Sequence, residues 1–356
     1  MKRTSIIRYV LIGILFPLLI QYIMYYRFTP NYQPGVFSEN GFRTFYGSSV
    51  FKYRIAGTEL QLWVYHLLKT NKSAASLKEN KIYGKRLLAL DDQADDLFYM
   101  SYFIINAFFA MLLALGLLYL FDSEHLFSMS ESAKCYTTVL LQLMVAVSQF
   151  VPNPYDVAGL FFEVFSFGVF LKYFFTHQRI YYIFTCLLII IATLVRESSA
   201  LILSLMASVY FMVYGVTPSW IKKMMLPCFC FLTAYLGLRI FVNHHSMQML
   251  ESSTLFKNFN LKPSTAMGLL MTVIIFYMML KASVDKDNRN LVSSFLVLSL
   301  PYVVMIIFVG ILAEFRLWLP LITGTAVLYK LNLKALRNHN YLSDLSANHT
   351  TDPQPH

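Results

Sequence analysis

Three short turns in this 356-residue chain place charged side chains between long apolar runs. They are Arg196-Glu197, Asn153-Pro154-Tyr155-Asp156 and Glu314-Phe315-Arg316, the last just ahead of Leu317-Trp318-Leu319-Pro320. A charge in such a setting is costly unless it meets water, protein or a partner charge, which makes it a candidate functional group. Carboxylates can take a proton from a hydroxyl, and the forked guanidinium of arginine suits carboxylate and phosphate oxygens. Asp156, Glu197 and Glu314 are therefore the candidate acids of these turns. Arg196 and Arg316 are the candidate anion ligands, with Tyr155 beside them. Arg239, at the end of an apolar run, and Arg54, in a long polar loop, can join them.

Each motif also has an ordinary reading. Asn153 to Asp156 suits a helix start, with the acid in the first turn, and Arg196-Glu197 could be an ion pair tying two helices together. Neighbouring residues on a helix point about 100° apart, however, so Arg196 and Glu197 are set to reach different partners. Glu163 lies seven residues after Asp156, two turns deeper on nearly the same helix face. An acid at that depth is protonated, paired or facing a polar cavity.

These residues have to be positioned by membrane-embedded helices. The chain is 57 % hydrophobic and 13 % charged, with a mean hydropathy of +0.54, outside the usual range of soluble domains. Its apolar runs have helical length rather than the short alternating pattern of a barrel. The net charge of +10 is scattered between these runs instead of forming a basic face, which excludes a nucleic-acid partner. Cys135, Cys186, Cys228 and Cys230 lie in or beside apolar runs, so the long outer loop has no disulfide, and Cys228 and Cys230, with no matching ligand pair, read as packing residues. His244 and His245 lack a third ligand in a convincing spacing. Phosphate-loop, zinc-protease and nucleophile-elbow motifs are absent from the sequence. Asp91, Asp92, Asp95 and Asp96 suit the start of the helix that follows better than a metal site, though four carboxylates leave a divalent metal open as a cofactor.

Ten spans are expected, at 9–26, 98–121, 136–151, 155–174, 180–195, 198–216, 224–242, 265–282, 290–311 and 316–330. This gives an all-α polytopic domain over 1–330 and a polar cytoplasmic tail over 331–356. Fourteen Lys and Arg residues then fall on the terminal side against five in the short loops and span ends opposite, which predicts cytoplasmic termini. The outer loop 27–97 is long enough to carry helices lying in the interface. In it, Phe42 to His66 is dense in rings and basic residues, including Arg43 and Arg54. Leu60, Val64, Leu67 and Leu68 form the expected apolar stripe.

A first span, a long outer loop and many short spans with charged outer turns make up a layout that resembles the GT-C class of integral membrane glycosyltransferases. The chain is also similar to bacterial polytopic membrane proteins carrying an Arg-Glu-Ser/Thr turn and a Glu-x-Arg turn, here Arg196-Glu197-Ser198 and Glu314-Phe315-Arg316. The resemblance implies a polyprenyl-phosphate-linked sugar as donor, a glycan or lipid acceptor, and a location in a bacterial inner membrane. It also implies a catalytic carboxylate early in the first outer loop. The first acid there is Glu39, in Glu39-Asn40-Gly41-Phe42-Arg43, and the paired acids separated by one residue that are common at this place are missing. Arg43, Arg54, Arg196, Arg239 and Arg316 would then stabilise the departing phosphate. A transporter or flippase for lipid-linked glycans would use the same arginines without chemistry.

Overall fold

A computed structural model describes residues 3–28, 34–48, 50–70, 95–149, 152–242, 263–283, 285–310, 312 and 314–338. Among these residues all regular structure is helical apart from one isolated bridge, Phe127 to Leu331. Of the ten expected spans, five are helices long and apolar enough to cross a membrane: α1 (Ser5–Tyr26), α4 (Asp96–Phe121), α6 (Asp156–Thr176), α8 with its lead-in turn (Glu197–Tyr214) and α9 (Trp220–Phe241). Between them, α5 (Glu131–Ser148) opens with polar turns and becomes apolar only in its second half. The expected span at 290–311 is a pair, α11 (Lys286–Leu298) and α12 (Leu300–Phe308), bent by 45° and forming a sixth span if counted as one. Three more are apolar but shorter: α7 (Arg179–Val195), α10 (Leu269–Lys281) and α13 (Phe315–Leu328). The bend has a local cause, since Pro301 cannot donate to the preceding turn, and Ser204 Oγ donates to the Leu298 carbonyl at 3.2 Å.

At the centre lies α4, which buries residues on all sides, packing against α1, α6 and the helices of the long loop. Leu11 and Leu19 of α1, and Phe229, Leu232 and Leu236 of α9, are exposed, as lipid-facing side chains are. At one end of the bundle Arg8 pairs with Asp122 and Glu131, and Lys134 Nζ reaches Asp122 at 3.1 Å and Glu131 at 2.6 Å. The same end takes in the chain after α13, where the Asn332 amide donates to the Leu126 carbonyl at 2.7 Å. The start of the first helix and the chain after the last therefore share one end.

The long loop forms α2 (Glu39–Ser48) and α3 (Ile55–Thr70) near the other end. Asp95 caps α4 as expected, accepting from the Leu97 amide at 2.9 Å and from the Tyr65 hydroxyl at 2.8 Å. α3 turns Gly57, Gln61, Leu62 and Tyr65 inward and leaves Trp63 and Leu67 exposed, while Leu60 and Val64 pack partly buried against the core. The inward face is fixed by polar pairing, because Gln61 Nε2 finds Ser101 Oγ at 2.5 Å and the Phe98 carbonyl at 3.3 Å. His244, His245, Asp91 and Asp92, and the tail from 339 onward, lie outside the described residues.

Candidate functional site

The three charged turns meet at one end of the bundle. Arg196 occupies an extended break (φ −160°, ψ 137°) between α7 and the short 3-10 turn Glu197–Ser199. Its amide donates to the Ala192 carbonyl at 2.8 Å and closes α7, while a 3.0 Å bond between the Thr193 and Ser199 hydroxyls brackets the break. Leaving the helix here sends Arg196 and Glu197 to different partners. Arg196 Nη1 lies 3.3 Å from Asp156 Oδ1, in the first turn of α6, and Glu197 Oε2 accepts from Arg54 Nε at 2.9 Å.

Asp156 is held from both sides. Its Oδ2 lies 3.5 Å from Arg316 Nη1, and Arg316 also donates from Nε to Glu314 Oε2 at 2.9 Å. Arg54 rests over the Tyr155 ring, 4.4 Å from its centroid. Glycines permit these approaches: a Cβ on Gly57 would stand 2.7 Å from Tyr155 Cβ, and one on Gly159 would stand 3.2 Å from Arg196 Cδ. Arg239 stacks over Tyr53 at 4.2 Å and Tyr235 at 4.9 Å, within electrostatic reach of Glu197. Burial alone would lower the pKa of Arg54, but Glu197, Tyr155 and Asp156 together outweigh it and the guanidinium is held above its ordinary value.

The result is a buried cluster of three carboxylates (Asp156, Glu197 and Glu314) and three guanidiniums (Arg54, Arg196 and Arg316). A neutral balance of this kind makes burial of so many charges tolerable. It also presents arginines whose partners are carboxylates, the groups that a phosphate most readily replaces.

Two predicted site residues are not in the cluster. Glu39 pairs with Arg43 at 3.1 Å, one turn away on α2, and lies 3.6 Å from His66 Nε2. Arg43 is 53 % exposed in its side chain, so this is a solvated surface pair.

A second layer was not legible in the sequence. Asn153 Oδ1 accepts from Tyr46 at 2.8 Å and Tyr155 at 3.2 Å, while its Nδ2 donates to Asp156 Oδ2 at 3.3 Å. Asn106 Nδ2 donates to the Asn153 carbonyl at 3.1 Å and to the Tyr25 hydroxyl at 2.7 Å, and Tyr25 in turn donates to Gln149 at 3.2 Å. These residues orient Asp156 from below, and burial pushes the Tyr46 phenol well above its ordinary pKa.

Among the described residues no group of three or more His, Cys, Asp or Glu side chains is arranged to hold a metal ion. Compared with protein-family models, curated proteins and solved structures, the chain shows no match.

Proposed function

We propose that the chain is a membrane glycosyltransferase acting at the outer face of a bacterial inner membrane. It moves a sugar from a polyprenyl-phosphate-linked donor to a glycan, lipid or protein acceptor. The observation that carries this reading is Asp156 between Arg196 and Arg316, beside Arg54, in a buried site at one end of a helical bundle. An acceptor hydroxyl attacks the anomeric carbon and gives its proton to Asp156. The new glycosidic C–O bond forms as the bond from the anomeric carbon to the phosphate oxygen breaks. Polyprenyl phosphate leaves with the electron pair, and the guanidiniums take up its charge. Glu197 and Glu314 hold Arg54 and Arg316 in place, while Glu39 stays a candidate base through the resemblance alone.

In this reading all ten segments cross the membrane with both termini in the cytoplasm. Among the short segments, α13 has 14 residues and spans about 21 Å at 1.5 Å per residue, so it needs local thinning of the bilayer.

The test is transfer from a polyprenyl-phosphate-linked radiolabelled sugar by the purified protein in proteoliposomes, alongside the glycan profile of cells lacking the protein. Transfer by the wild type that is lost in a folded Asp156→Asn variant supports the proposal. Absence of transfer from every donor class, with an unchanged glycan profile, overturns it. A transporter is the second reading, favoured by the buried, unpartnered side-chain oxygens of Glu163, Ser166, Thr323 and Thr325 below the cluster. It predicts movement of the lipid-linked sugar between leaflets without transfer.

A further inference from the structure

Below the cluster, α6 carries a second acid. Asp156, Gly159 and Glu163 fall at i, i+3 and i+7, on one face of the helix. Arg196 crosses that face at the glycine: a Cβ there would meet its Cδ at 3.2 Å, its Cβ at 3.4 Å and its Cγ at 3.9 Å. The guanidinium now points up the helix, to Asp156. Down the helix from Gly159, Glu163 lies four residues away, a rise of about 6 Å, within the length of an arginine side chain.

Glu163 is 2 % exposed, and its Oε1 has no hydrogen-bond partner. Gly324 of α13 packs closely here: a Cβ on it would stand 3.2 Å from this oxygen and 2.5 Å from Phe295 Cζ. Arg196 and the Tyr302 phenol lie within electrostatic reach of the carboxyl, and Tyr302 itself donates to the Leu317 carbonyl at 2.9 Å. Phe295, the other neighbour across Gly324, offers no polar atom. A buried carboxyl with an unpartnered oxygen, a cation one turn above it and a glycine on the path between them together describe a second position for that cation.

We propose that Glu163 is a positioning residue for Arg196. The guanidinium has two stations on α6, Asp156 and Glu163, and moving to the lower one leaves Asp156 with a single guanidinium, that of Arg316. The move itself requires no particular reaction. Its use in freeing Asp156 to accept a proton rests on the glycosyl-transfer reading above.

The experiment uses the full chain in lipid nanodiscs and needs no substrate. With Asp156→Asn the upper station loses its charge, so the variant is expected to fold, and a cryo-electron microscopy map should show the Arg196 guanidinium at salt-bridge distance from Glu163. A guanidinium still beside residue 156, or turned to Glu314, overturns the proposal. So does an Asp156→Asn variant that fails to accumulate while Glu163→Gln accumulates normally. A thermal double-mutant cycle gives the second reading. Asp156→Asn with Glu163→Gln should lower Tm by much more than the two single drops added together, and additive drops overturn the idea. Because both readouts are structural, failure of the transfer assay would leave the two-station arginine standing, and an Arg196 that stays at its upper station would leave the transfer proposal standing.

Discussion

Arg54 and Glu197, 143 residues apart in sequence, are joined by a 2.9 Å bond from Nε to Oε2, with each side chain 15 % exposed. The pair ties the long loop to the break between α7 and α8. Removing one member strands the other in a mostly buried place, so Arg54→Met or Glu197→Gln is expected to cost about 3 kcal/mol. Removing both with Arg54→Met/Glu197→Leu is expected to cost less than the two losses combined. Denaturant unfolding of the purified protein measures this, and simple additivity would show that neither residue depends on the other.

The same loop docks through a glycine. A Cβ on Gly57 would press on Tyr155 Cβ at 2.7 Å and Cα at 3.4 Å, which are atoms close to the backbone that cannot swing aside. Gly57→Ala is expected to destabilise the protein by about 2 kcal/mol, whereas Gly47→Ala, with nothing within 4 Å, should change stability by less than about 0.5 kcal/mol. Equal effects at the two glycines would mean that α3 does not seat against Tyr155 in this way.

Alkali provides a separate probe of the loop. Burial, followed by the hydrogen bond to Asp95, raises the Tyr65 pKa above its ordinary 10.0, and burial raises that of Tyr46. In each case the folded protein keeps a proton that the unfolded chain releases. Their contribution is therefore complete below pH 10 and lost as pH rises through the raised values. Unfolding midpoints measured against pH should fall on the alkaline side, and Tyr65→Phe should flatten that fall. An unchanged slope in the variant counts against the Tyr65 to Asp95 bond.

The two ends of the bundle make a topological prediction. Gly47 and Ser128 are both exposed and lie at opposite ends. In a background with the four native cysteines replaced, Gly47→Cys should react with an impermeant maleimide from outside intact cells and Ser128→Cys only after permeabilisation. Labelling of both from the same side would remove the basis for an outward-facing cluster.

The meeting of Asp156, Arg196, Glu197, Glu314 and Arg316 could be read from the sequence because each charge interrupts an apolar run, and alternating spans bring the three turns to one side. Glu163 was legible for the same reason. The partner of Glu197 was not: Arg43 and Arg54 sit in the same basic, aromatic loop, and only the docking of α3 against α4 decides that Arg54 turns inward while Arg43 pairs with Glu39. Asn106 and Tyr25 were missed because one amide or phenol hardly changes the hydropathy of a long run. The bend after Leu298 lies inside an unbroken apolar stretch, where a window average cannot register the missing amide of Pro301.

The sharing of Asp156 between Arg196 and Arg316 also bears on biogenesis. A ribosome delivers Arg54 well before Glu197, and Asp156 before either of its guanidiniums. Arg316 comes after every other member of the cluster. Until α13 is inserted, Asp156 is held by one guanidinium, that of Arg196, instead of two. Insertion of α13 adds Glu314 and Arg316 as a neutral pair and completes the second contact on Asp156, so chains interrupted before Glu314 should be less stable in the membrane and be removed faster by membrane proteases.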